Sequence, residues 1–264
     1  MILKNSEILL TEPRGFCAGV ERAIEIVNRA VEIFDETIYV KHEVVHNKHV
    51  IEQLVEKGVV FVESLDNVPD QSILIYSAHG VSKEISELAS LKRLKVFDAT
   101  CPLVTKVHFE IHKFASQNID VVLVGHSGHP EVEGTMGQYI SDKGKIHLVE
   151  TNDDIDKLQI ENEDLAYVTQ TTLSVDDTKS IVRSLKLKFP NIIGPRKDDI
   201  CYATQNRQEA VKKILEFCDS LIVVGSQNSS NSQRLREIGV QYGIKSFLID
   251  DINQISIEDL SGDK

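Results

Sequence analysis

The chain has no tryptophan, two methionines and four cysteines in 264 residues. Four thiols in a chain of this size do not make the disulfide framework of a small secreted domain, and they point to a reducing cytosol. No apolar run approaches the length of a membrane span. The opening MILKNSEILLTEPRG lacks the uninterrupted apolar stretch and cleavage site of a secretion signal. Positive charge is scarce: 29 Lys and Arg stand against 41 Asp and Glu, a formal charge of −12. That balance argues against a nucleic-acid or anionic-membrane surface, so an anionic ligand needs a local pocket of donors. Walker A and dinucleotide glycine patterns are also missing, and a phosphate-bearing ligand need not be ATP or NAD. With 41% apolar and 27% charged residues the composition is that of a globular protein.

Three of the four cysteines keep similar company. Cys17 lies in PRGFCAGVERAI, Cys101 in DATCPLVTKVHFEI and Cys201 in DDICYATQNRQEAV. Each stands where an irregular segment gives way to a helical pattern. Val20, Ala23, Ile24, Val27, Val31 and Phe34 follow Cys17 at three and four. Pro102 suits a first helical position, and Val104, Val107, Ile111 and Phe114 come after it. A helix N-terminus carries partial positive charge, which favours thiolate. Three thiolates from distant segments are what a shared metal or cluster needs. Short C-x-x-C zinc spacings are absent, and an iron–sulfur cluster normally takes four cysteines. Three would leave one iron open. Cys218, in ILEFCDSLIVV, reads as a small buried hydrophobe.

Strands alternating with helices predict a parallel α/β architecture. Strand-like runs include EILLTE (7–12), IYVKHEVVHN (38–47), DVVLVGHSGHPEVEG (120–134), LAYVTQTT (165–172) and SLIVVGSQNSSN (220–231). A weak repeat underlies them. His46 lies 29 residues past Cys17 (46 − 17), and His129 and Ser229 each lie 28 past Cys101 and Cys201 (129 − 101, 229 − 201). Each ends a β-rich run in a polar loop, which predicts three copies of one α/β unit. Ligands bind at such carboxyl-end loops, and three units about an axis bring the cysteines to one centre.

GHSGHPEVEG places acids near imidazoles. As a solvated loop it needs no function, but Glu131 suits a proton donor if burial raises its pKa. Glu133 is the competing choice, and His126 reads as structural. His46 and His79 end strands and can donate to an anion, whereas His42 and His49 read as surface or capping groups. Thr171, Thr172, Ser229, Ser230 and Asn231 fit turn and capping chemistry. Hydroxyl and amide donors at helix N-termini also make a phosphate cradle.

Together PRGFCAGVERAI, HEVVHN, SAHGVS, DATCPLVTKVH, GHSGHPEVEGTMGQ, TQTTLSVDDT, CYATQNRQEAV and GSQNSSNSQRL, in order from about residue 11 to 240, resemble the 4-hydroxy-3-methylbut-2-enyl diphosphate reductase family. The resemblance implies an α/β trefoil with units 18–101, 102–197 and 1–17 plus 198–264. It implies a [4Fe–4S] cluster held by Cys17, Cys101 and Cys201 with one open iron. It implies that His46, His79, His129, Ser229, Ser230 and Asn231 grip the substrate diphosphate, and that Glu131 delivers protons, helped by Thr171. His129 and Thr171 thereby count among both the catalytic and the substrate-binding candidates. The implied reaction is reductive dehydroxylation of an allylic diphosphate, the last step of the methylerythritol phosphate route to isoprenoids, giving isopentenyl and dimethylallyl diphosphate. No flavin or NAD motif is visible, so a ferredoxin- or flavodoxin-like donor protein is implied. The family pattern expects a further strand and a Gly-Ala-Ser-Thr-Pro-like loop where this sequence reads SIEDLSGDK (256–264). The third sheet is therefore expected to be one strand short and the enzyme impaired or truncated. Two other readings use the same three thiolates: a zinc hydrolase, and a cluster-based redox sensor without turnover.

Overall fold

The computed structural model describes residues 7–162, 164–256 and 260. The chain divides into two compact units. The larger holds Cys17–Val45 and Val50–Cys201; the smaller holds the described residues of Met1–Phe16, His46–His49 and Tyr202–Lys264. The fold is α/β with parallel sheets throughout.

In the larger unit, α1 (Ala18–Ile33) leads into β1 (Ile38–Lys41), and β2 (Val60–Val62), β3 (Ile73–Tyr76) and β4 (Lys95–Asp98) complete a sheet ordered β2-β1-β3-β4. Helices α2 (Lys48–Glu56) and α3 (Lys83–Leu91) connect these strands. Helix α4 (Pro102–Ser116) opens the second sheet, in which β5 (Asp120–Val124) lies between β6 (Ile146–Val149) and β7 (Leu165–Thr169). Helices α5 (Pro130–Met136), α6 (Asn152–Lys157) and α7 (Val175–Lys188) surround it in sequence. The smaller unit contains α8 (Tyr202–Ile214), β8 (Ser220–Val224), α9 (Ser230–Gln241) and β9 (Lys245–Ile249), and β8 pairs with β9 alone among the described residues.

One pattern recurs: the first strand of each sheet sits beside the second, and in the two larger sheets the third strand flanks its other side. Val40 of β1 thus faces both Phe61 and Ile75, and Val122 of β5 faces both His147 and Tyr167. Central parallel strands are covered on both faces and so carry unbroken apolar runs. Every residue of β3, β5 and β7 is buried. Full burial of a Val or Leu side chain contributes about 1.5–3 kcal/mol, so VVLV in β5 anchors the second sheet. The amphipathic helices supply the cover: α1 buries Ala23, Val27 and Ala30, and α4 buries Val104, Val107, Ile111 and Phe114. In β8 only Leu221 and Val223 are buried, while Ile222 and Val224 are 41% and 75% exposed.

Several expected strands are shorter than their composition suggests. The run 120–134 breaks after Val124 because Gly128 takes φ 75° and Pro130 starts α5. The run 220–231 likewise ends at Val224, and Ser230 already belongs to α9. Residues 7–12 form no strand: no ladder partner adjoins them among the described residues, and Ile8 and Leu10 are 83% and 65% exposed. Of the run SIEDLSGDK only Ser256 and Leu260 are described, so the expectation placed on it lies outside the described residues. Among the described residues no helix is long and apolar enough to cross a membrane.

Candidate active site

The chain turns from loop to helix at all three candidate cysteines, and all three belong to the larger unit. Cys17 and Cys101 are the N-cap residues of α1 and α4. Cys201 immediately precedes α8. A Cβ on Gly19 would stand 2.8 Å from Cys101 Sγ and 3.9 Å from Cys17 Sγ, so the two sulfurs flank the space a side chain would take. Cys17 and Cys201 both act electrostatically on Cys101. The helix-start argument predicts a lowered thiol pKa, but the Cys101 pKa is raised. Burial is the largest cause; the neighbouring thiols add to it, against the backbone N–H groups of Leu103 and Val104. Among the described residues no disulfide forms, and no three His, Cys, Asp or Glu stand at the spacing of a single ion. An iron–sulfur cluster would bind each thiolate to a separate iron, and the Cys17 and Cys101 sulfurs on either side of Gly19 are compatible with such separate ligands. Cys218 is half-buried rather than core, and it caps the C-terminus of a short 3-10 turn, Leu215–Phe217.

The acid candidates separate by burial. Glu131 is 3% exposed and Glu133 lies exposed two residues further along α5. Both are on a helix and not in a loop. Glu131 Oε1 accepts the Thr171 N–H at 2.6 Å, and Oε2 accepts the Thr171 hydroxyl at 3.0 Å. Burial lifts the Glu131 pKa to about 7; the two Thr171 bonds pull it down and the Asp199 charge pushes it up. His129 is the N-cap of α5, and its Nδ1 accepts the Glu131 N–H at 3.1 Å. Its ring meets that of His79 edge-on, centroids 5.6 Å apart.

Tight backbone packing brings His79 there. Gly80 has φ 77°, and a Cβ on it would lie 2.6 Å from the buried ring of His108 on α4. On the other side Gln138 Nε2 donates to Val81 O at 2.6 Å, and Lys83 N–H donates to Gly137 O at 3.1 Å. The 79–83 loop is therefore held between α4 and α5. Two further bonds tie these loops to the cysteines: Cys101 N–H donates to Ala78 O and Cys201 N–H to Thr171 O, both at 2.9 Å.

Sequence reasoning passed over two buried polar residues here. Asp199 has a fully buried side chain, accepting Lys106 Nζ at 2.9 Å and Thr169 N–H at 3.0 Å. Gln170, 1% exposed, accepts His126 N–H at 3.0 Å and donates to Thr172 Oγ1 at 3.2 Å, joining two site loops. Their only signal was adjacency, Asp199 two residues before Cys201 and Gln170 one before Thr171.

The remaining anion candidates, His46, Ser229, Ser230 and Asn231, belong to the smaller unit. Lys48 N–H donates to Ser226 Oγ at 2.8 Å, which keeps the 46–49 segment with the β8 loop. Ser229 caps α9 through Ser232 N–H at 3.3 Å, so capping accounts for its hydroxyl as an acceptor. Asn231 carries a buried Oδ1 without a partner. His49 is exposed and bonds Asp250 O at 2.9 Å. His42 sits at φ 61°, bonded to Lys41 Nζ at 2.6 Å and to the Glu63 carboxylate. Both keep the local role their sequence context suggests.

A family model described as LytB protein matches residues 8–264. The chain is 62% identical over 257 residues to a Methylococcus capsulatus protein named 4-hydroxy-3-methylbut-2-enyl diphosphate reductase, covering 97% of this chain and 82% of that one. An Aeromonas hydrophila protein of the same name is 59% identical over 256 residues, with 97% and 82% covered. A solved structure from Plasmodium falciparum, described as E-1-hydroxy-2-methyl-but-2-enyl-4-diphosphate reductase, superposes with TM-score 0.89 at 45% identity, covering 94% of this chain and 77% of that one. Another is described as (E)-4-hydroxy-3-methyl-but-2-enyl diphosphate reductase, the terminal enzyme of the non-mevalonate pathway. It gives TM-score 0.69 at 32% identity, with 96% and 88% covered.

Proposed function

Since the chain belongs to the LytB protein family, we propose that it is an oxidoreductase that removes the hydroxyl of (E)-4-hydroxy-3-methylbut-2-enyl diphosphate to give isopentenyl and dimethylallyl diphosphate. Two relatives that carry this name are 62% and 59% identical across nearly the whole chain. The observation that carries the reading is the Glu131–Thr171 pair, whose Thr171 carbonyl in turn receives the Cys201 N–H.

The reaction consumes two electrons and two protons. One proton leaves with the hydroxyl as water; the other ends on an allylic carbon. Cys17, Cys101 and Cys201 would hold a [4Fe–4S] cluster, which supplies the electrons singly and a Lewis-acidic iron without a protein ligand. Glu131 gives the proton to the departing hydroxyl. Its pKa of about 7 leaves it protonated in a useful fraction near neutrality. Thr171 aims both carboxyl oxygens and so fixes where that proton is presented. His129 accepts at Nδ1, so the proton of its neutral ring sits on Nε2, a donor suited to a phosphate oxygen. His79, beside it, adds a second imidazole. The family resemblance adds His46, Ser229, Ser230 and Asn231 as diphosphate donors in this reading. We keep the division into units 18–101, 102–197 and 1–17 plus 198–264 as three copies of one device, supported by the shared strand order of the sheets. Electrons come from a ferredoxin- or flavodoxin-like protein, and the enzyme works in the cytoplasm.

The test is turnover of the allylic diphosphate by the iron-loaded protein with dithionite-reduced viologen, read as both isomeric products. Iron and sulfide analysis accompanies it. Zinc in place of iron and sulfide would favour the hydrolase, and a loaded cluster without turnover would favour the sensor.

A further inference from the structure

Three basic side chains stand just past the three cysteines, and each reaches the segment that carries a different cysteine. Arg22, five residues past Cys17, donates from Nη1 to Thr100 O at 3.1 Å and from Nη2 to Asp98 O at 3.2 Å. Thr100 directly precedes Cys101. Lys106, five residues past Cys101, donates to Asp199 Oδ1 at 2.9 Å and Lys197 O at 3.0 Å. Asp199 lies two residues before Cys201. Arg207, six residues past Cys201, donates from Nη2 to Gly15 O at 2.6 Å. Gly15 lies two residues before Cys17. The links thus run from the first cysteine's helix to the second cysteine, from the second's to the third, and from the third's back to the first. The first two links lie within the larger unit and the third within the smaller.

We propose that Arg22, Lys106 and Arg207 are positioning residues, three copies of one clamp in which the cation past each cysteine fixes the segment leading into the next. The clamped segments lie outside the regular elements: residues 99–101, 194–201 and 11–17 fall in no helix or strand. Such a segment has few bonds of its own to fix a side chain. Bonds from a cationic donor are short and strong for their kind, and the planar guanidinium grips two carbonyls at once, as Arg22 does. Two of the three links end on backbone carbonyls alone, so they constrain the path of the chain whatever side chains it carries.

This rests on reading Cys17, Cys101 and Cys201 as one ligand set, and the experiment separates the two ideas. In the metal-free full chain, each thiol's alkylation rate by iodoacetamide is followed by mass spectrometry. Arg22→Gln is expected to speed Cys101 at least threefold, Lys106→Gln to speed Cys201, and Arg207→Gln to speed Cys17, each leaving the other two near wild type. The same variants, loaded with iron and sulfide, should lose iron at least threefold faster. Arg22→Lys, Lys106→Arg and Arg207→Lys should restore most of both. A general loss of folding would speed all three thiols together and would not be rescued, and that outcome overturns the clamps, as do unchanged rates. Wild-type protein that takes up no iron overturns the ligand set alone, and the alkylation pattern still decides the clamps.

Discussion

Glu131 is held by Thr171 at both carboxyl oxygens, the backbone N–H at 2.6 Å and the hydroxyl at 3.0 Å. The pair spans 40 residues of sequence and joins the first turn of α5 to the loop that follows β7. Two bonds that favour carboxylate are outweighed by burial, which leaves the pKa near 7. An acid balanced in this way can both hold and release a proton.

Replacing Glu131 by Gln preserves shape and removes the proton. Turnover is expected to fall about a hundredfold to ten-thousandfold, as for loss of a general acid. Glu133→Gln should stay near wild type, because that side chain is exposed. Steady-state rates for the two variants decide, and a reversed ranking means the other carboxylate carries the proton.

The alkaline limb of the kcat/KM profile should follow Glu131. Activity needs the protonated acid, so it falls as pH rises through about 7. Thr171→Val deletes the hydroxyl bond that lowers this pKa, and the limb should move to higher pH. A limb that moves down or stays put contradicts the assignment.

Stability should carry the same signature. The folded pKa is raised, so the folded state holds a proton that the unfolded chain has released above an ordinary carboxylate pKa. The contribution is fully present below that value and is lost as pH rises through about 7. The loss is on the order of 3 kcal/mol across the window. In Glu131→Gln that part of the decline should vanish, which urea melts of the two proteins at pH 4.5, 6 and 8 can measure.

Any one of Cys17, Cys101 or Cys201 changed to Ser should abolish activity and lose iron, whereas Cys218→Ser should keep it. Full iron content in Cys101→Ser would count against the ligand set.

Gly19→Ala removes no ligand, yet its methyl would meet Cys101 Sγ at 2.8 Å. The sulfur has to move, so bound iron should drop well below wild type while the far-UV dichroism is unchanged. Normal iron content would mean that the gap beside Gly19 plays no part in ligand placement.

The α/β class and the singling out of Glu131 as a candidate acid were legible because they rest on local chemistry. Thiols at helix starts, unbroken apolar runs such as VVLV and the His-Pro-Glu string keep their meaning without knowledge of neighbours. The errors were also local in origin. EILLTE has the composition of a strand, but a strand exists only with a ladder partner. The helix-start argument for a low thiol pKa was sound for Cys101 in isolation and lost to burial and the other thiols.

By itself, the sequence determined the alternation of helices and strands, though not every strand or its ends, and which side chain types can bind metal, donate a proton or hold a phosphate. Tertiary structure alone decided which of them are buried and which partners they meet. It buried Glu131 and left Glu133 in water two residues away, although composition cannot separate them. It seated Asp199 and Gln170 in the interior, and it turned Arg22, Lys106 and Arg207 onto carbonyls 78, 91 and 192 residues distant. The reason is physical: pKa and hydrogen-bond direction depend on desolvation and on partners within a few ångströms, and those are fixed only when distant segments pack.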